Sequence, residues 1–195
     1  MNSSIRLPPP NFVTLLKEPV PQVKLASSMV SLGQARFWEE LYFLALNDDI
    51  DSVKAFLASA PEIDIGRGNA HGLTPLMAAV NNGFLELASI LIAEGADVDA
   101  KAASGHSALL IAIAKQSVPM ANLLLNNGSD VDVSDDSGLT PLMYAIDDVE
   151  LVKLLLDNDA DVNLQDNDGR TALTLASEYE NDEIVELLRT AGAVD

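Results

Sequence analysis

From Phe37 onward the apolar positions of the chain fall into short helical stripes that come in pairs. Phe37, Trp38, Leu41, Tyr42, Leu44 and Ala45 recur at helical spacing. Leu76, Ala78 and Ala79 do the same, and Leu87, Ala88, Leu91 and Ile92 then form an i, i+1, i+4, i+5 stripe. Start and stop signals bracket these stripes. Thr74 and Thr140 read as N-caps, with Pro75 and Pro141 at the first helical position, where a missing N–H costs nothing. Gly95, Gly128 and Gly192 stand where a helix must end in a left-handed residue. Asp159 takes that place once, and aspartate tolerates the conformation better than most residues. The pattern predicts an all-α chain of short paired helices joined by polar turns.

The pairs repeat. Gly72-Leu-Thr-Pro-Leu returns as Gly105-His-Ser-Ala-Leu after 33 residues, as Gly138-Leu-Thr-Pro-Leu after another 33, and as Gly169-Arg-Thr-Ala-Leu after 31. The unit endings agree: Glu94-Gly-Ala-Asp-Val-Asp, Asn127-Gly-Ser-Asp-Val-Asp, Asn158-Asp-Ala-Asp-Val-Asn and Ala191-Gly-Ala-Val-Asp. A period near 33 with two helices per unit is the signature of a stacked solenoid, in which each unit covers the apolar face of the next. On these residues the chain resembles the ankyrin repeat family. The resemblance implies an ankyrin-repeat solenoid of helix–turn–helix units with projecting β-turn loops.

The repeats divide as 72–104, 105–137, 138–168 and 169–195, preceded by a degenerate capping repeat over 37–71. In the capping repeat Asp51, Val53, Phe56, Leu57 and Ile63 match Glu86, Ala88, Leu91, Ile92 and Val98 at a constant offset of 35. Its aromatics are expected to close the open end of the stack, with a partner hot spot around Trp38 as the alternative. Two repeats depart from the template. In 105–137, Gln116 stands where Gly83 stood, and Pro119 falls in the first turn of the second helix. In 138–168 the turn between the helices is two residues shorter. The terminal helix from Asp182 to Arg189 carries Asp182, Glu183 and Glu186, the polar outer face that an end repeat needs.

Charge changes this picture in one respect. The 195 residues carry a net −19. Residues 1–36 hold Arg6, Lys17, Lys24 and Arg36 against Glu18, and the remainder has 7 basic and 29 acidic residues. Five prolines between Pro8 and Pro21 stop any helix there, so 1–36 reads as an extended or disordered segment. A secretory leader does not fit, because the prolines interrupt its apolar stretch. The acidic body argues against nucleic acid or an anionic membrane as partner. No apolar run is long enough for a membrane span. The cytoplasm is the expected compartment, with organelle targeting through 1–36 or secretion as an effector as alternatives.

Candidate chemistry thins out quickly. There is no cysteine, which excludes thiolate catalysis and cysteine metal sites. The Asp-rich stretches around Asp159 and Asp166 fail the calcium-loop pattern, because position 12 counted to fit Gly169 is Leu175. There is no phosphate-cradling glycine loop. His71 and His106 read as exposed loop residues, with a weak pH-sensitive patch as the alternative. No cofactor, metal or catalytic residue is expected.

What remains is a presented surface. The resemblance implies a non-catalytic module that grips a partner protein by its loop tips and the exposed face of each first helix. Carried onto this sequence, those positions are His71, Leu73, Asn81 and Asn82, then His106 and Lys115. Next come Asp136, Leu139, Asp147 and Asp148, and finally Asn167, Asp168, Arg170, Glu178 and Tyr179. The second half of this set is acid-rich, which points to a partner with a basic surface, with Tyr179 as an aromatic anchor. The chain is expected to be a monomer on its own. The alternative is a microbial effector, or a regulatory or inhibitory subunit of an enzyme complex.

Overall fold

The structure, a computed structural model, describes residues 37–59 and 64–194, leaving out the side chains of Phe37 and Trp38. The proposed segment 1–36 and the test position Trp38 therefore lie outside what is described. Ten helices and no strand are present among the described residues. They are α1 (Phe37–Leu46), α2 (Ile50–Ser59), α3 (Pro75–Asn82), α4 (Leu85–Ala93) and α5 (Ala108–Ala114), then α6 (Val118–Asn126), α7 (Pro141–Tyr144), α8 (Val149–Asp157), α9 (Ala172–Glu178) and α10 (Asp182–Thr190). The fold is an all-α stack of helix pairs. It divides into two compact units between Asp97 and Val98.

In the first unit α1 packs on α2 and on α3, and α3 packs on α4. Leu41, Ala45 and Val53 are fully buried there, as are Ala78, Ala79, Leu87, Ala88 and Leu91. In the second unit first helices pack on first helices, α5 on α7 and α7 on α9, and second helices on second helices, α6 on α8 and α8 on α10. The alanines explain the close approach. Ala112, Ala121 and Ala176 are fully buried at helix contacts that a larger side chain would hold apart. The leucines carry the burial: each one taken fully from water, such as Leu109, Leu124 or Leu155, contributes about 2–3 kcal/mol of transfer free energy.

The caps are where the sequence places them. Thr74 Oγ1 accepts the Met77 N–H at 3.2 Å, Ser107 Oγ the Leu110 N–H at 3.3 Å, and Thr140 Oγ1 the Met143 N–H at 3.4 Å. Thr171 does the same for Thr174 at 3.2 Å, in a capping box. Pro119 lies in the first turn of α6.

The departures also resolve physically. Gln116 occupies the left-handed conformation of the glycine it replaces, at φ 53°, and Asp159 does so at φ 63°. In the shortened repeat α7 is only four residues long. Its turn closes through the Asp148 N–H to Ala145 O at 2.8 Å, without a left-handed residue. Neighbouring repeats hold that turn from both sides. Gln116 Nε2 donates to Asp147 Oδ2 at 3.2 Å, and Asn181 Nδ2 donates to Ile146 O at 3.2 Å.

Candidate functional site

Each of the four repeats that follow the capping repeat is entered through a finger loop, and all four loops are closed by the same two backbone bonds. In the last one the Asp166 N–H reaches Arg170 O at 2.9 Å, and the Gly169 N–H returns to Asp166 O at 2.9 Å. Asn69, Ala102 and Asp135 hold the corresponding first position of the other loops. Three of these four side chains add a second closure. Asn69 Oδ1 accepts the N–H groups of His71 and Leu73, Asp135 Oδ1 those of Ser137 and Leu139, and Asp166 Oδ1 those of Asp168 and Arg170. A short acceptor two bonds from its own backbone suits this Asx geometry.

The second carboxylate oxygen is used as well. Asp135 Oδ2 accepts the Tyr144 hydroxyl at 2.8 Å, and Asp166 Oδ2 takes Arg170 Nε at 2.8 Å and Nη2 at 2.7 Å. Burial alone would raise the Asp166 carboxyl. The bonds from the Arg170 N–H, its guanidinium and the Asp168 N–H outweigh it and hold that carboxyl below its usual range. Burial pushes the Tyr144 phenol upward, and the Asp135 carboxylate adds to the shift.

A second set of side-chain acceptors, two aspartates and an asparagine, links successive repeats of the second unit. Asp99 Oδ1 accepts the Asp130 N–H at 2.9 Å, Asp132 Oδ1 the Asp161 N–H at 2.9 Å, and Asn163 Oδ1 the Val194 N–H at 3.0 Å. This ladder escaped the sequence reading. Its signal was present in the recurring Asp-Val-Asp and Asp-Val-Asn endings, which read as matching unit endings and not as acceptors.

The candidate positions do not all face water. Leu73 is 1% exposed and His106 is 6% exposed, so neither is presented to a partner. Both stand one residue before an N-cap, and the carbonyl oxygen of each accepts the backbone N–H that closes its finger loop, from Asn69 to Leu73 and from Ala102 to His106. The His106 ring turns inward: Nδ1 lies 3.2 Å from Ser104 O and 3.0 Å from Ser104 Oγ. It packs at a tilt on Tyr144, with ring centroids 6.3 Å apart. The expectation of an exposed His106 is corrected on that ground, while His71 is exposed as expected.

In the first unit Asn82 is exposed. Asn81 is half-buried, with a shielded Oδ1 that has no hydrogen-bond partner. In the second unit Lys115, Asp136, Asp147, Asn167, Asp168 and Glu178 are exposed, and Leu139, Asp148, Arg170 and Tyr179 are half-buried. Several of these already have local work. Asp148 caps α8 by accepting the N–H groups of Glu150 and Leu151. Asn167 Nδ2 bridges to Asp136 O at 2.9 Å, and Arg170 is shared between Asp166 and Asp168.

A family model described as ankyrin repeats matches this chain in three copies, over residues 41–135 and 119–194. The chain belongs to the ankyrin-repeat family. Ankyrin repeats generally mediate protein–protein interaction, and proteins built of them are typically non-catalytic. Among curated proteins none matches this one. The ankyrin stack offers no group of three or more His, Cys, Asp or Glu side chains placed to hold a metal ion among its described residues. Nor is any described helix long and apolar enough to cross a membrane.

Proposed function

We propose that this ankyrin-repeat chain is a non-catalytic binding module for a partner protein with a basic surface. The observation that carries this reading is the state of the side chains on the last two repeats. Asp136, Asp147, Asp168 and Glu178 are exposed, and the ring-bearing Tyr179 of the last repeat is half-buried. Arg170, which would oppose a basic partner, is already held by the buried Asp166. Exposed acids steer a basic partner toward the surface, and an aromatic ring supplies contact area once it arrives. Leu73 and His106 drop out of the contact set because they are buried. Asp148 belongs to it only through whatever its capping bonds leave free.

The test is affinity capture with the intact chain from its native cell, run in parallel with a Tyr179→Ala, Asp168→Lys double variant. The expected result is a set of proteins retained by the natural chain and lost by the variant, with retention falling as salt rises. Equal capture by both forms rejects this surface. Capture that does not change between low and high salt rejects a basic partner.

A further inference from the structure

Among the described residues, four helices end at or just before an asparagine with the same geometry. Asn47 Nδ2 donates to Phe43 O at 2.6 Å, Asn82 Nδ2 to Ala78 O at 2.9 Å, Asn127 Nδ2 to Leu123 O at 2.7 Å and Asn158 Nδ2 to Leu154 O at 2.8 Å. In all four the next residue is left-handed, at φ 54°, 77°, 88° and 63° in the same order. The chemistry of that next residue splits the set. Asp48 and Asp159 follow two of the asparagines, Gly83 and Gly128 the other two. Asn82, Gly83, Asn127 and Gly128 are all exposed to water.

We propose that Asn82–Gly83 and Asn127–Gly128 are sites of spontaneous deamidation, gated by opening of the helix ends that they cap. The reaction needs no cofactor. The glycine amide nitrogen gives its proton to a solvent base and attacks the asparagine Cγ. An N–Cγ bond forms, the Cγ–Nδ2 bond breaks, and Nδ2 takes up a proton and leaves as ammonia. Water then opens the succinimide at either carbonyl, giving aspartate or isoaspartate. Glycine lets its nitrogen reach Cγ because no Cβ stands in the way. After Asn47 and Asn158 an aspartate side chain blocks that approach, and its negative charge makes the neighbouring N–H harder to ionise.

The fold holds the two reactive pairs shut. The Gly83 N–H is bonded to Val80 O at 3.1 Å and the Gly128 N–H to Leu125 O at 3.0 Å. The side-chain amides are bonded as well, so nucleophile and leaving group must both be released first. Helix ends open far more readily than the core, which makes local fraying the gate. The products cannot restore the cap. A carboxylate has no proton to donate to the carbonyl of Ala78 or Leu123, and it meets the negative end of the helix dipole. Isoaspartate also lengthens the backbone where the turn must close. At Asn82 the new charge would appear on one of the candidate partner-facing positions.

The experiment ages the intact chain at mildly alkaline pH, folded and in urea, and maps each asparagine by peptide mass and by isoaspartate content. Asn82→Gln and Asn127→Gln variants fix the assignment, since glutamine closes a six-membered ring much more slowly. In the folded protein conversion at Asn82 and Asn127 is expected to exceed that at Asn47 and Asn158 about tenfold, because only there is the attacking nitrogen unhindered. Urea is expected to accelerate both sites. Equal rates at all four asparagines overturn the glycine argument, and equal rates in folded and unfolded chain overturn the gate.

Discussion

The finger loops at 102–106 and 166–170 share one backbone and opposite chemistry. Each is closed by the same pair of main-chain bonds and carries a left-handed glycine, Gly105 at φ 77° and Gly169 at φ 79°. In the first loop the leading side chain is Ala102, which accepts nothing, and the loop is completed by an imidazole turned inward onto Ser104. In the second it is Asp166, a buried carboxylate that receives two backbone N–H groups and a guanidinium. A further loop packs over Gly105, whereas Gly169 faces open space. A repeat protein thus keeps its backbone constant while moving the task of closure from side chain to side chain. An acid in such a loop is first an acceptor for its own turn, and only then a charge offered to a partner.

The largest expected contrast comes from the two glycines. A Cβ at Gly105 would lie 2.5 Å from Asp136 N and 2.6 Å from Asp136 Oδ1, while one at Gly169 would meet nothing within 4 Å. Gly105→Ala therefore combines a left-handed alanine with a backbone collision, and should cost about 3 kcal/mol. Gly169→Ala carries the conformational term alone, about 1 kcal/mol. Urea unfolding of the two variants measures the difference. Equal losses would mean that the loop over Gly105 yields freely, and that the packing of one loop on the next contributes little.

Asp166 gives the next contrast. Asp166→Ala removes the acceptor for both turn amides and leaves Arg170 without its buried partner, at a cost of about 2–3 kcal/mol. The sign of the pH dependence follows from the lowered carboxyl. A group whose folded pKa lies below its unfolded value stabilises the fold fully above the unfolded value and loses that contribution as pH falls through the folded one. The gap between natural chain and variant should be complete at neutral pH and close under acid. A gap that persists there would assign the effect to packing.

These loops also mark how far the sequence could be read. The helix pairs, the threonine caps and the left-handed Asp159 were legible because each depends on near neighbours: an N-cap needs only its own first turn. Gln116 was legible for the same reason, as a replacement for Gly83 at a fixed offset. The inward turn of His106 was not, because it depends on Tyr144 from the following repeat. Leu73 was misjudged in the same way, since a position one residue before the cap can face the core or the solvent with identical local sequence. The acids were counted correctly and interpreted too simply. Asp99 and Asp132 count toward the net charge, yet one oxygen of each is committed to an amide some 30 residues away, at Asp130 and Asp161. The candidate surface is therefore smaller than the charge count suggested, and lies on the acids that project past these bonds.

The smallest effect is the most direct test of whether the two loops are interchangeable. Ala102→Asn would place an acceptor where Asn69, Asp135 and Asp166 already have one, within reach of the N–H groups of Ser104 and His106. Two new acceptor bonds to turn amides, less the entropy of fixing the side chain, should raise stability by about 1 kcal/mol. Asparagine adds no charge, so a salt series leaves the comparison undisturbed. Ala102 is 6% exposed, which limits the room for a larger side chain and sets the sign of the outcome. A gain in unfolding midpoint supports closure as a function that any finger loop can take up. A loss would show that the inward His106 has claimed the space, and that this repeat has exchanged one way of closing its loop for another that excludes the first.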